Sequence, residues 1–353
     1  MTPLLRHLGW AALAALLVLA LSLLLGPFRN FELATVAAYF CAAAGLTVLT
    51  GLSGQLSLGQ GAFMAVGAYA ATGTSQLLAD RTWAVGLSEV VPVLAGALAA
   101  GVVGLVIGVA AARLRGPYLA GVTLALAIAV PSVASLFDGL LGGDQGLTYA
   151  AEPPPAIGGR AVPVEQWQVW VSWAVALLVA VGLANLSRSR LGRTLRAIRD
   201  DESAAALAGV DVARARATVF GVSSVAAGAG GALVAWQTQI AAPGAYPLTL
   251  SLSLLIAVVI GGLGRLSGAA VGAALLVLLP DLAQSLTDAL DLSAEQAQRW
   301  QGTLPQLLFG VVVILVVLVA PQGLHGLSER AVQRARKLSS PRPIPSHERQ
   351  SER

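Results

Sequence analysis

Long apolar stretches separated by short polar ones leave this chain few ways to fold. A bilayer core about 30 Å thick is crossed by roughly 20 residues of helix. Stretches meeting that need, wholly or nearly, lie at about 8–26, 32–50, 90–112, 118–137, 166–186, 217–238, 247–263, 268–288 and 303–320, and a Gly-rich, less apolar one at about 58–79 makes ten. Of the 353 residues, 56% are apolar and 11% charged, whereas a soluble domain carries about a quarter of charged residues. The outer surface must face lipid. The expected fold is all-α: an integral membrane, polytopic bundle of about ten transmembrane helices with one Gly-rich interrupted span. Residues 1–320 would form the membrane domain and 321–353 a basic tail, disordered from about 339, where Pro, Ser and charges leave little to bury.

The charges test this layout. With the N-terminus in the cytoplasm, ten spans place Arg6, Arg113, Arg115, Arg265, the Arg-rich segment 187–216 and the tail inside. Only Arg29, Arg81, Arg160 and Arg299 fall outside. Removing any one span would put the two Arg-rich segments, 187–216 and 321–353, on opposite sides or invert part of the count. Positive-inside bias therefore supports ten spans with both termini cytoplasmic. The first stretch, behind Arg6 and His7, is readable as a signal peptide; its length and the lack of a small-x-small site before Pro27 favour a retained helix. Cys41 stands alone, so an intrachain disulfide is excluded, and its apolar surroundings make it a small core or lipid-facing residue. Residues 138–165, with Gly142, Gly143, Gly146 and three consecutive prolines, read as an extracytoplasmic loop with turns.

Several chemistries are absent. A phosphate-cradling loop needs Gly-x-x-x-x-Gly-Lys-Ser/Thr, and the one lysine, Lys337, stands in the tail. His7, His325 and His347 are far apart, and no His-based metal site suggests itself. Asp138, Asp281 and Asp288 fall near outer helix ends, so no mid-membrane carboxylate offers the proton or ion site that coupled carriers keep. Uphill transport by this chain would need energy from another protein.

Two segments carry functional signals. GLSGQLSLGQGAF (51–63) sets Gly51, Gly54, Gly59 and Gly61 among Ser53, Gln55, Ser57 and Gln60. Non-helical backbone at membrane depth is tolerated where it is buried in protein or lines a cavity, and broken helices present their ends to polar substrates. Close packing through small residues accounts for the same glycines equally well. A short echo, Gly264-Arg-Leu-Ser267, occurs later. In 187–216, arginines interleave with Leu191, Leu195, Ile198, Ala205, Leu207 and Val210; Asp200, Asp201 and Glu202 suit a helix N-terminus over Ser203–Ala208, closed by Gly209. Such a helix is a docking element for a soluble partner, or one resting on anionic lipid.

The motifs 51–63, LRGPYLAGVTLA (114–125), GGDQGL (142–147), LGRTLRAIRDDESAAALAGVDV (191–212), GGLGRLSGAAVGA (261–273) and PQGLHGL (321–327) resemble, in order and over about 36–327, the LivM-type permeases of branched-chain amino acid ABC transporters. The resemblance implies a non-enzymatic permease of the bacterial plasma membrane that binds no cofactor itself. It would pair with a second, homologous permease, with two cytoplasmic ATPases that use ATP and Mg, and with an extracytoplasmic substrate-binding protein; membrane lipid surrounds it and nucleic acid plays no part. It makes Gly51, Ser53, Gly54, Gln55, Ser57, Gly59, Gln60 and Gly61 the pathway candidates. Arg193, Arg196, Arg199, Glu202, Ser203, Ala204, Ala205 and Gly209 become ATPase-coupling candidates within a Glu-Ala-Ala-x-x-x-Gly-like core in which Ser203 stands where the glutamate would be. A permease for urea or short amides resembles the same motifs. A stand-alone secondary carrier, or a membrane enzyme or sensor, fits the residues less well, for want of an ion site or a reactive constellation.

Overall fold

The computed structural model describes residues 3–79, 87–112, 117–157 and 159–289, with five positions beyond them. Nine long helices follow the expected spans among these residues: α1 (Pro3–Leu24), α2 (Pro27–Ser53), α3 (Gln60–Leu78), α4 (Leu87–Ala111), α5 (Pro117–Leu136), α7 (Val164–Arg188), α10 (Val212–Thr238), α11 (Leu248–Gly261) and α12 (Leu266–Ala289). Short helices α6 (Asp138–Leu141), α8 (Arg190–Asp200) and α9 (Glu202–Leu207) sit between them. The expected span 303–320 is helical at Leu304, Leu307, Gly310, Val311 and Ile314. The rest of it, the tail, Arg81, Arg113, Arg115 and Arg299 lie outside the described residues.

Seven helical stretches among the described residues are long and apolar enough to cross a membrane. The 19 residues of α3 fall short in apolarity because their Gly, Ser, Thr and Gln side chains are enclosed by protein, not lipid. Burial sorts the helices in the same way. Leu8, Leu13, Leu16, Leu17 and Leu24 leave α1 exposed along its length, whereas nearly every residue of α2 and α10 from their second turn on is covered.

Glycine builds the centre. A side chain on Gly230 would strike the Ala38 carbonyl, one on Gly231 the Met64 carbonyl, one on Gly67 the backbone of Gly228, and one on Gly104 the side chain of Ser224. With nothing between backbones, α2, α3, α4 and α10 approach closely, and van der Waals contact replaces the hydrophobic drive that lipid removes. Cys41 is buried there as a free thiol.

The chain repeats one plan in opposite directions. Helices α2, α3 and α4 form one unit and α10, α11 and α12 the other; α2 and α10 are each 27 residues and run antiparallel through the centre. In cross-packing, α4 lies on α10 and α12 on α2. Between α5 and α7 the loop holds a 3-10 turn (Gly143–Gln145) and three strands, β1 (Leu147–Thr148), β2 (Ala156–Ile157) and β3 (Arg160–Ala161). Strand β1 pairs antiparallel with β4 (Ile240–Ala241) just after α10, in the register Leu147↔Ala241, and β2 pairs with β3.

Candidate functional site

The Gly-rich motif forms a break between two helices. Helix α2 stops at Gly54, which takes φ +69 and returns its N–H to the Thr50 carbonyl; the left-handed conformation costs least without a Cβ. Residues 54–59 then climb back into the bundle, so that α3 begins beside the middle of α2. There Gln60 donates from Nε2 to the Ala42 carbonyl at 2.9 Å, with the Ser223 hydroxyl at 3.4 Å. Ala42 lies eleven residues before the end of α2, roughly 16 Å along its axis.

Several polar groups of this break are paired. The Leu58 amide donates to Thr123 Oγ1 on α5 at 2.9 Å, the Gly59 amide to Ser57 Oγ at 3.3 Å, and Ser53 Oγ to the Leu49 carbonyl at 2.6 Å. Gln55 Oε1 is buried without a partner among the described residues. Gly51 is pressed against the backbone of Gly264, in the turn joining α11 to α12. The echo noted in the sequence, 264–267, is therefore a contact between the two halves.

A second break mirrors the first. After α10, Gln239 takes φ +58, and β4 and the 3-10 turn Pro243–Ala245 bring the chain back from the opposite end. Tyr246 donates its hydroxyl to the Gly231 carbonyl at 3.2 Å. Helix α11 starts at mid-depth, where Ser251 Oγ accepts the Gly61 amide at 3.0 Å. Two helices thus begin near one buried point, α3 rising to the loop end and α11 descending to the Arg-rich end. Discontinuous helices of this kind, with non-helical backbone enclosed by protein, are how transporters build polar sites at membrane depth.

The segment 187–216 folds as two helices rather than one. Ser189 caps α8, its Oγ accepting the Gly192 amide at 3.3 Å, and Asp201 caps α9, its Oδ1 accepting the Ala204 amide at 3.0 Å. Leu195 and Ile198 bury α8 against the bundle. Gly209 ends α9 at φ +85. The arginines brace this pair. Arg193 donates to the Arg188 carbonyl at 3.2 Å and Arg196 to the Ser187 carbonyl at 2.6 Å, both at the C-terminal end of α7. Arg216 on α10 holds Glu202 through two nitrogens, at 2.9 and 3.2 Å. Arg199 divides its guanidinium: Nη1 donates to the Gly51 carbonyl at 2.7 Å and its stem lies on Gly54, while Nε and Nη2 donate to Asp200 Oδ1 at 3.1 and 3.0 Å.

Of the coupling candidates, Ala205 is buried, while Ser203, Ala204 and Gly209 are exposed. Leu207 was not singled out as a contact residue from the sequence, yet it is 91% exposed. The signal for it was available: in an Ala-Ala-Ala-Leu-Ala run on a short capped helix, the leucine is the one large apolar side chain. Carboxylates lie at the ends of the described spans. Glu32 and Asp281 share Arg29 at 2.7 and 2.6 Å, and Glu89, in the first turn of α4, accepts from Trp167 at 3.2 Å. In the loop, burial pushes the Tyr149 phenol up, with the Glu89 charge adding to it, so it stays a neutral hydroxyl.

The family described as "Branched-chain amino acid transport system / permease component" matches residues 30–320. The chain belongs to this family. It is similar to the high-affinity branched-chain amino acid transport system permease protein LivM of Escherichia coli, 30% identical over 340 residues that cover 88% of this chain and 74% of the relative. A probable branched-chain amino acid transport permease protein LivM of Methanocaldococcus jannaschii is 26% identical over 229 residues, covering 63% and 64%. The LivH permease protein of Escherichia coli is 29% identical over 160 residues, covering 45% and 47%. No solved structure matches. The permease family match spans both mid-depth breaks and the α8–α9 pair, which makes the chain a multi-pass membrane protein of a transport system.

Proposed function

We propose that this chain is the membrane-spanning permease subunit of an ABC importer that carries leucine, isoleucine and valine across a bacterial plasma membrane. The face bearing α8 and α9 is cytoplasmic, as are both termini, and the loop between α5 and α7 faces the binding protein that delivers substrate. Similarity to both LivM and LivH permeases supports pairing with a second, homologous permease. Two ATPase subunits bind ATP and Mg and supply the work.

The observation that carries this reading is the α8–α9 pair. It is fixed by its own chain on one side and offers an exposed apolar tip, Leu207, on the other. Exposed apolar residues on a rigid element are the usual anchors of a protein interface. A helix resting on lipid would bury Leu207 in headgroups, whereas Arg193, Arg196 and Arg199 of α8 donate to backbone carbonyls of α7 and α2, and Arg190 and Arg214 stay exposed. When the ATPases close, displacement of α8 reaches Gly51 through Arg199 and shifts the break at 54–59. The mid-depth point where α3 and α11 meet then opens to alternate sides.

The test is Leu207→Asp in the complete transporter. Because the side chain is exposed, the chain inserts and folds normally, while loss of an interface anchor typically costs about 2 kcal/mol or more. The ATPases fail to co-purify and ATP-driven leucine uptake is lost. Wild-type co-purification and uptake would refute the docking role. Ala205 makes a poorer probe, because it is buried and its replacement tests packing as well as docking.

A further inference from the structure

A cavity of about 400 Å³ lies between α3 and α5, in the half of the bundle that faces the loop between α5 and α7. This falls in the range of small-molecule sites, roughly 300–1,000 Å³. Val66 and Tyr69 of α3 line one wall, Leu126, Val130 and Val133 of α5 the other, and Leu141 closes the loop end. Its floor is the first break, since Leu126 and Thr123 are the α5 side chains that lie on Gly59.

Three features mark it as a ligand site. Valine and leucine side chains make most of its wall, so it suits a branched aliphatic group. Its polar feature is Tyr69, which is 8% exposed and whose hydroxyl is buried without a partner among the described residues. A buried hydroxyl left unpaired costs about 1–3 kcal/mol, so such groups in a native fold call for a ligand or water that pairs them. Finally, the two walls differ in how they are held. Helix α3 is packed into α4 and α10, whereas the principal contacts of α5 are α3, α11, α6 and the two 3-10 turns. One wall is fixed and the other can yield as a substrate passes.

We infer that the α3–α5 cavity is a specificity site on the inward path: it takes the branched aliphatic side chain of a neutral amino acid, while the hydroxyl of Tyr69 hydrogen-bonds its polar end. This inference rests on the permease reading above.

The experiment uses the complete transporter with its binding protein in proteoliposomes and follows ATP-driven uptake of labelled leucine and valine. Val130→Trp fills the cavity, and uptake of both falls by at least about tenfold while ATPase assembly and basal ATP hydrolysis persist. Val130→Leu narrows it by a methylene and shifts the leucine-to-valine uptake ratio towards valine by about tenfold, the scale of one methylene in an apolar pocket. Tyr69→Phe raises the KM for leucine several-fold with maximal rate retained, because it removes a hydrogen bond but no volume. The unchanged binding protein makes any change of ratio a property of the permease. If Val130→Trp fails to assemble, the ratio in Val130→Leu and the KM in Tyr69→Phe decide. An unchanged ratio and an unchanged KM overturn the cavity site alone, with the permease reading intact. A wild-type transporter that moves none of leucine, isoleucine or valine takes both down.

Discussion

The two mid-depth breaks have the same topology and opposite anchors. The first, residues 54–59, is Gly-Gln-Leu-Ser-Leu-Gly, and it is tied to the Arg-rich face: Arg199 of α8 holds the Gly51 carbonyl and lies on Gly54. The second, residues 239–247, is Ala, Pro, Gly and Tyr. It is tied to the loop face, where β1 pairs with β4, the Tyr149 amide donates to the Gln239 carbonyl at 2.9 Å, and Gly146 at φ +72 leaves no room for a side chain over the Ala241 carbonyl. Each face of the protein thus grips one break, and the breaks touch where the Gly61 amide meets Ser251. A permease working as proposed above needs such a point, addressable from the Arg-rich face and from the loop face independently. Symmetry supplies the shared geometry, and sequence divergence supplies the separate handles.

The comparison breaks most completely at Gly51. A Cβ there would overlap the backbone of Gly264, the place where the first half of the chain leans on the turn of the second. Neither partner is a flexible side chain that can swing away, and Gly264 is itself held at φ +81. Gly51→Val therefore forces the halves apart at a cost of about 3 kcal/mol or more, at or above the upper end of ordinary overpacking. The expected outcome is loss of monodisperse protein after detergent extraction. The same bulk added on the lipid-facing side of α7, as Ala180→Val would not serve but Leu178→Phe would, leaves the yield unchanged, because Leu178 is 73% exposed. Equal yields from Gly51→Val and Leu178→Phe would show that the halves do not depend on this contact.

A smaller and more selective effect follows from cutting one handle. Arg199→Ala removes the guanidinium from Gly51 and leaves Leu195 and Ile198 to hold α8 in place. A charge-assisted hydrogen bond contributes about 1.5–3 kcal/mol, so coupled uptake falls roughly tenfold or more. The ATPases still co-purify and still hydrolyse ATP. Arg199→Lys restores part of the effect, since lysine reaches with one point charge and lacks the planar fork. If uptake and hydrolysis fell together, Arg199 would be acting on ATPase docking and the tie to the break would carry no signal.

Much of this was legible in the sequence, for stated physical reasons. Lipid demands apolar length, so nine of the ten expected spans could be placed within a few residues of the helices; the tenth is largely outside the described residues. The charged residues Asp201 and Glu202 and the left-handed Gly209 bounded α9 as expected. What stayed hidden was tertiary. Nothing local says that Gly51 meets Gly264, or that Gln60 reaches Ala42, because both depend on the chain doubling back by half a membrane. The second break was missed altogether: the sequence shows only a short gap between the spans 217–238 and 247–263, and the contact of Ser251 with Gly61 shows how deep α11 starts. Ser57, Gln60 and Gly61 were named as pathway candidates, and the structure places all three in a packed, hydrogen-bonded knot. Leu207 was read only as one of the apolar residues interleaved with the arginines, because a short helix does not show in sequence which of them its own chain covers.

The smallest expected effect lies at the point of contact itself. Ser251→Ala removes the oxygen that accepts the Gly61 amide and changes almost nothing else, since Ser251 is fully buried and loses one atom. The first amides of a helix have no partner within it, and at this depth no solvent replaces the lost one. An amide left unpaired costs about 1–3 kcal/mol, which lowers the midpoint of thermal unfolding in detergent without lowering ATPase recruitment, because α8 and α9 are untouched. Ser253→Ala, on the same helix but half-buried, serves as the control and shifts the midpoint less. The two handles predict a further difference: combined with Arg199→Ala, Ser251→Ala adds less than its separate effect on uptake if both act along one path from α8 to the meeting of α3 and α11. Full additivity would mean that Arg199 sends its signal elsewhere, and that the contact between the breaks holds the fold together without conducting motion through it.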